Sequence, residues 1–173
     1  MRSLMMSFAS RAERALAALL LVVTTACYSF SGGGGFPDDV RTVFIEPFEN
    51  TTPQFDLELQ VYNHLQETLP RQLGLRPGSE ESADAIVRGR ILRYDDRAQS
   101  NPINNPSRPL VHVVEIAVAV EIIDVKRNVI LWDSRSLTAQ GEYRPESGSE
   151  LEGRQIAIEQ LAQRILDGAQ QQW

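Results

Sequence analysis

Leu110-Val111-His112-Val113-Val114-Glu115-Ile116-Ala117-Val118-Ala119-Val120-Glu121-Ile122-Ile123-Asp124-Val125 is the stretch on which the fold turns. Successive side chains of an extended chain point to opposite faces. Val114, Ile116, Val118, Val120 and Ile122 therefore make one apolar face, and Glu115, Ala117, Ala119 and Glu121 make the other. An alternation this long predicts a strand over residues 110–125 with one side on a core. Asp124–Asn128 is a tight connection, and Val129–Gln140 resumes as a strand with Ile130 and Trp132 facing the core. Strands so closely linked pair antiparallel.

Working outward, Ala83–Tyr94 reads as another strand, in which Ala85, Val87 and Ile91 alternate with charged residues. Gly89 inside it marks a bulge or a close approach of another group. Asp95–Pro109 is a long polar loop with three prolines, and Arg76–Ser82 and Gly141–Ser149 are further loops. Val40–Ile45 is rich in β-branched and aromatic residues and ends before Pro47, which predicts a first strand. Glu49-Asn50-Thr51-Thr52-Pro53 is turn chemistry. Thr52 is placed to cap a helix with Pro53 at its first position. Phe55–Leu73 is that helix, with Phe55, Leu59, Tyr62, Leu65 and Leu69 near one face. Pro70 predicts an end to regular helix near Leu69, and Gly74 closes the unit. Leu151–Gln170 is a second helix, lined by Ile158, Leu161, Ile165 and Ala169 with support from Ala162 and Leu166. Gln170–Trp173 is read as a frayed tail.

The expected fold is therefore a two-layer α/β (α+β) sandwich of order β-α-β-β-β-α. It has a four-stranded mixed sheet with two helices packed on one face. The first strand joins the second through a helix, which predicts a parallel pair, adjacent or across one strand.

The N-terminus carries a different message. Arg2, Arg11 and Arg14 precede the apolar run Ala15–Val23, which is followed by Thr24-Thr25-Ala26-Cys27. A basic region, a short apolar run and a small residue before a cleavage point describe a secretory signal. The apolar run is too short to span a bilayer, which takes about 20 residues. Cys27, the chain's single cysteine, stands where a bacterial lipobox places its acylated residue, although Thr24 occupies the place such boxes usually give to Leu. The alternative is an ordinary signal peptide with an incidental cysteine. The expected organisation is a leader over 1–26, a lipidated tether over 27–39 containing Gly32–Gly35, and one domain over 40–173. Acylation of both the Cys27 thiol and amine would give a multi-chain anchor, which holds a protein stably on a membrane.

Removing the three Arg and one Glu of the leader from the chain's 17 basic and 23 acidic residues leaves 14 and 22, a net charge of −8. This argues against broad nucleic-acid binding, which requires a basic face. With Cys27 used as an anchor, no thiol remains for a disulfide, a zinc site or a nucleophile. His64 and His112 stand apart, without HExxH or His-plus-acid spacing. No nucleophile, base and orienting group can be placed together, so no enzyme activity, metal or cofactor is expected. Lys126-Arg127 at a hairpin tip and Arg97 near the end of the second strand are candidates for contact with anionic phosphate groups. A charged, solvated hairpin tip is the plainer alternative.

Several motifs resemble a known family. Cys27-Tyr28-Ser29-Phe30-Ser31-Gly32 is similar to the Cys-Gly-Tyr-x-Phe opening of the LptE lipoproteins, with the Gly missing. Ile45-Glu46-Pro47-Phe48-Glu49-Asn50-Thr51-Thr52 resembles their first strand and Phe-x-Asn-Thr turn, and Leu57–Leu69 the helix that follows. The final helix around Ile156–Ala162 is similar as well. The resemblance implies a non-catalytic lipoprotein on the periplasmic face of the outer membrane. Such a protein plugs and stabilises an LptD-like β-barrel and assists lipopolysaccharide assembly at the cell surface. Lys126, Arg127 and Arg97 are proposed for lipopolysaccharide phosphates from charge alone. A lipid-anchored auxiliary subunit of a lipid-transport ABC system is the alternative, because fold by itself does not separate the two.

Overall fold

The computed structural model describes residues 36–37, 39–99 and 111–171. The expected leader, Cys27, the glycines 32–35, the proline-rich segment 100–110 and Trp173 lie outside the described residues.

The chain forms β1 (Thr42–Ile45), β2 (Glu49–Asn50), α1 (Leu57–Gln72), β3 (Arg76–Pro77), β4 (Ala85–Gln99), β5 (Val111–Asp124), β6 (Val129–Tyr143) and α2 (Glu150–Gln171). The sheet runs β3-β1-β4-β5-β6, and β2 pairs separately with β4. β1 lies parallel to β4 and directly beside it, as the helical connection requires, while β4-β5-β6 is an antiparallel meander. The expected four-stranded sheet is thus corrected to six strands. The two additions are only two residues long. They form where Arg76 N–H meets the Arg41 carbonyl at 2.9 Å and Thr51 N–H meets the Ile91 carbonyl at 3.1 Å. A two-residue strand has no periodicity to read, and both sit among proline and turn residues.

Both helices contribute to one core. Leu57, Val61, Leu65 and Leu69 of α1 and Ala157, Ile158, Leu161, Ala162, Ile165, Leu166 and Ala169 of α2 are buried. They join Val114, Ile116, Val118, Val120 and Ile122 of β5 in a single cluster. The whole even-numbered face of β5 predicted from alternation is therefore core.

Three sequence expectations change. The face of α1 rotates: Phe55 and Leu59 are exposed, whereas Leu57 and Val61, two residues on from each, are buried. The helix N-cap is also Asp56, at a φ of 61°, rather than Thr52. Thr51 instead continues the β2 pairing, and the Asn50 side chain accepts from Thr52 N–H at 3.0 Å in an Asx turn. Ile130 is 56% exposed, not core. Ile122 pairs with Trp132 but Ile123 pairs with Ile130, so Leu131 is a bulged extra residue. Leu131 and Trp132 are both buried as a result, and Ile130 is turned to the other side. Finally, α1 runs through Pro70 to Gln72. Leu75 N–H returns to the Pro70 carbonyl at 2.8 Å and Gly74 N–H to Arg71 at 3.3 Å. Gly74 stands at φ 69°, which makes this end a Schellman motif.

β4 and β6 extend beyond the predicted 83–94 and 129–140, to Gln99 and Tyr143. The polar run Asp95–Gln99 is strand because it pairs with Val111–Glu115. Gly89 is a close approach and not a bulge: a Cβ there would lie 2.7 Å from the Phe48 ring. The bulge of β4 falls at Leu92, between Ile91 and Arg93.

Candidate functional site: the open face of the sheet

The helices cover the side of β5 that carries its even-numbered core residues. The other side is uncovered among the described residues, and its chemistry is set mainly by β4. Arg88, Arg90, Arg93 and Arg97 are opposite Glu121, Ala119, Ala117 and Val113, all odd-numbered positions of β5. All four arginines therefore share the open face. Arg90 and Arg93 are three apart and would point to opposite sides of an unbroken strand. The extra residue Leu92 restores them to one side. In sequence the signal is Arg-x-Arg, then a break, then Arg-x3-Arg. It is legible only once the bulge is placed.

Each of these arginines meets a carboxylate. Arg88 Nε is 2.5 Å from Glu121 Oε1, and Arg90 Nε is 2.9 Å from Glu49 Oε2. Arg93 donates to one oxygen of Glu115, and Arg97 Nη2 to the other at 2.9 Å. Gln140 Nε2 also donates to Glu115 Oε2, at 2.6 Å. Glu115 is 5% exposed. The Gln140 hydrogen bond, with those from Arg93 and its charge, holds the Glu115 carboxyl below the usual range and outweighs burial. Arg135 of β6 makes no ion pair among the described residues. It helps line an open hollow of about 540 Å³ with Glu46, Arg88, Arg90, Glu121 and Asp133. The side chains of Arg88, Arg90, Arg93 and Arg97 are each about half exposed. The face thus presents planar donors able to engage anionic oxygens, held in place by carboxylates from neighbouring strands.

Arg97 belongs to this row. Lys126 and Arg127 do not: they lie in the β5–β6 turn beyond Asp124, at the opposite end of the sheet. Val113, opposite Arg97, is eleven residues from Asp124, or roughly 35 Å at about 3.3 Å per residue. The structure therefore does not bring the three together. Lys126 Nζ is 2.6 Å from Asp84 Oδ1. Arg127 binds Asp124 at 2.7 Å and Asp39 at 2.8 Å. Asp84 Oδ2 also accepts from Arg41 N–H, Thr42 N–H and the Thr42 hydroxyl at 2.9–3.0 Å. Lys126 first, and then these donors, hold the Asp84 carboxyl far below its ordinary range. The turn that carries Lys126 and Arg127 thus also ties the start of β1 to β4.

A second polar cluster lies on the helix side at the far end. Arg154 of α2, 7% exposed, donates to Glu150 at 2.7 Å and to the Tyr94 hydroxyl at 3.2 Å. Its guanidinium sits 5.4 Å from the Tyr94 ring centre. His112 lies near Asp96 (3.2 Å) and Tyr143 (3.0 Å), while His64 on α1 meets only the Thr68 hydroxyl, at 3.5 Å, among the described residues. Among the described residues no group of three or more His, Cys, Asp or Glu could hold a metal ion. No described helix is long and apolar enough to cross a membrane.

The fold recurs in solved structures. The hypothetical protein CT253 from Chlamydia trachomatis superposes with a TM-score of 0.52 at 13% identity, covering 75% of this chain and 97% of that one. PelC from Paraburkholderia phytofirmans gives 0.49 at 16%, covering 81% and 93%. A minor lipoprotein from Acinetobacter baumannii gives 0.44 at 22%, covering 74% and 91%. At 13% identity the likeness to CT253 is one of fold. No curated protein matches the chain by sequence. A family model does, that of LptE, described as lipopolysaccharide-assembly, over residues 40–170. That span begins just before β1 and ends in the last turn of α2, so this chain belongs to the LptE lipopolysaccharide-assembly family.

Proposed function

We propose that this chain is a non-catalytic, lipid-anchored subunit of the lipopolysaccharide assembly machinery on the periplasmic face of the outer membrane. In this reading residues 1–26 are removed, Cys27 is acylated, residues 27–39 form the tether, and residues 40–173 plug and stabilise an LptD-like β-barrel. The observation that carries the reading is the family match from Val40 to Gln170. The open sheet face supports it. A barrel lumen is polar, and a sheet face of paired arginines and carboxylates suits a polar wall. The guanidinium groups of the same half-exposed side chains suit lipid phosphates, which arginine engages with two parallel hydrogen bonds. Arg97 contributes at one end of the sheet, and Lys126 and Arg127 form a separate basic point at the other.

Affinity purification of the mature protein from detergent extracts tests the assignment. A large outer-membrane barrel should co-purify, and an inner-membrane ABC complex in its place would overturn the reading. Cys27→Ala should release the protein from membranes, and unchanged membrane retention would remove the anchor. Arg97→Gln, and Lys126→Gln with Arg127→Gln, should each weaken lipopolysaccharide retention more at low salt than at high salt. Unchanged retention would remove those contacts.

A further inference from the structure

Two charged rows cross the open face side by side. The first is Glu46–Arg88–Glu121–Asp133. Arg88 is opposite Glu121, and Glu121 is opposite Asp133. Glu46 N–H reaches the Val87 carbonyl at 2.9 Å, which sets Glu46 beside Arg88. The second row is Glu49–Arg90–Ala119–Arg135. Glu49 is opposite Arg90, and Arg90 is opposite Ala119. Val118 pairs with Leu137 but Val120 pairs with Ser134, so Arg135 and Ser136 both stand against Ala119. A methyl group at that place, between long side chains, leaves the hollow of about 540 Å³ that both rows line. Small-ligand sites span roughly 300–1,000 Å³.

The charges in the hollow do not all satisfy one another. Arg88 pairs with Glu121, and Arg90 with Glu49. Glu46, Asp133 and Arg135 enter no ion pair among the described residues, yet all three line the hollow. One guanidinium and two carboxylates are therefore open to a ligand. A bare phosphate would suit Arg135 but would meet the field of both carboxylates, and like charges so placed oppose binding. A bare amine would suit Asp133 but meet Arg135. A zwitterion resolves both conflicts. Its phosphate takes two parallel hydrogen bonds from the Arg135 guanidinium, and its ammonium donates to the Asp133 carboxylate. Asp133 and Arg135 are two residues apart on β6, so their backbones lie about 6.6 Å from each other and a single small headgroup touches both side chains. A phosphodiester carries one negative charge, which one ammonium balances. A phosphomonoester carries about −1.5 to −2 at pH 7 and suits the hollow less.

We propose that this hollow binds the phosphoethanolamine headgroup of a lipid, with Arg135 on the phosphodiester and Asp133 on the ammonium. The inference deepens the reading of the open face given above and rests on it. A polar wall packed against the arginine row leaves the hollow as room for a headgroup.

The whole protein, labelled with nitrogen-15 and purified in dodecylmaltoside, is titrated with soluble headgroups while the amide resonances of Asp133, Ser134 and Arg135 are followed. Glycerophosphoethanolamine should shift them to saturation. Glycerophosphate and O-phosphoethanolamine should each bind about fivefold more weakly, the upper end for one exposed ion pair. Arg135→Gln should weaken glycerophosphoethanolamine by a similar factor. Asp133→Asn should weaken it too but strengthen glycerophosphate, a reversal that a loss of structure does not produce. Both side chains are exposed, and the remaining amide spectrum checks that each variant keeps the parent fold. Glycerophosphate that binds the parent as tightly as glycerophosphoethanolamine overturns the zwitterion in favour of a plain phosphate seat. O-phosphoethanolamine that binds as tightly overturns the lipid source in favour of a free monoester. Flat titrations overturn the site, and if the same variants then lower co-purification of the barrel, the two charges belong to its wall. The titration needs no barrel. Its failure leaves the assembly reading standing, and a failed co-purification beside a saturating titration removes the assembly reading and leaves the headgroup site.

Discussion

Gly141 of β6 and Gly153 of α2 meet backbone to backbone: a Cβ built on Gly141 would lie 1.9 Å from the Gly153 carbonyl oxygen. No side chain fits between a strand and a helix at that distance, so the pair sets how closely α2 approaches the sheet. Gly141→Ala should destabilise the domain by about 2–3 kcal/mol, at the upper end of overpacking costs. Urea unfolding measures this. Gly74→Ala meets no neighbour within 4 Å and only the strain of φ 69°, so it should cost about 1 kcal/mol. Equal midpoints for the two variants would contradict the packing account.

Leucines two residues apart on α1 should behave oppositely. Leu57 is fully buried and Leu59 is 53% exposed. Leu57→Ala should cost about 2–5 kcal/mol and Leu59→Ala less than about 0.5 kcal/mol. The reverse order would restore the helix face read from sequence.

Glu115 of β5 links Arg93 and Arg97 of β4 to Gln140 of β6. Glu115→Ala should cost about 1–3 kcal/mol, since Gln140 and two guanidinium groups lose a charged acceptor at a buried position. Arg88→Ala, whose partner Glu121 lies at a more exposed point, should cost less than about 1 kcal/mol. Thermal or urea unfolding of both variants decides between a buried tie and a dispensable surface pair.

Stability should fall in acid. Asp84, Glu115, Asp124 and Glu150 all have carboxyls held below their ordinary range. A lowered folded pKa adds stability that is complete above the unfolded value, about 4, and is lost as pH drops through the folded value. Unfolding midpoints should therefore decline below about pH 5, and Asp84→Asn should flatten that decline. On the alkaline side, burial and the Glu150 hydrogen bond raise the Tyr94 phenol. Its contribution is complete below the unfolded value, about 10, and fades above it, so Tyr94→Phe should remove that part of the alkaline loss. A pH series that is the same in parent and variants would refute these roles.

Much of the fold was legible because long elements carry periodic signals. The alternation of residues 110–125, the apolar stripe of α2 and the parallel placement of β1 beside β4 all follow from spacing and connection rules. The errors have local physical causes. Ile130 was read as core because a bulge at Leu131 shifts the alternation by one, and nothing in Val129-Ile130-Leu131-Trp132 announces it. The buried face of α1 differs because Leu57 and Val61, as well as Leu59 and Tyr62, stand at helical spacing from Leu65 and Leu69, and only packing in the core chooses between them. Of the charged candidates, Arg97 stands out at the end of the second strand together with Arg93, but the face they share with Arg88 and Arg90 does not. Their common face depends on the extra residue at Leu92.

By itself, then, the sequence determined which segments alternate, which are helical and in what order, because those properties follow from residue period and connection length. Tertiary structure alone decided where the bulges fall, which charges meet, and that four arginines share the open face. Those outcomes depend on register between strands distant in sequence, where a one-residue shift exchanges the two faces of a sheet.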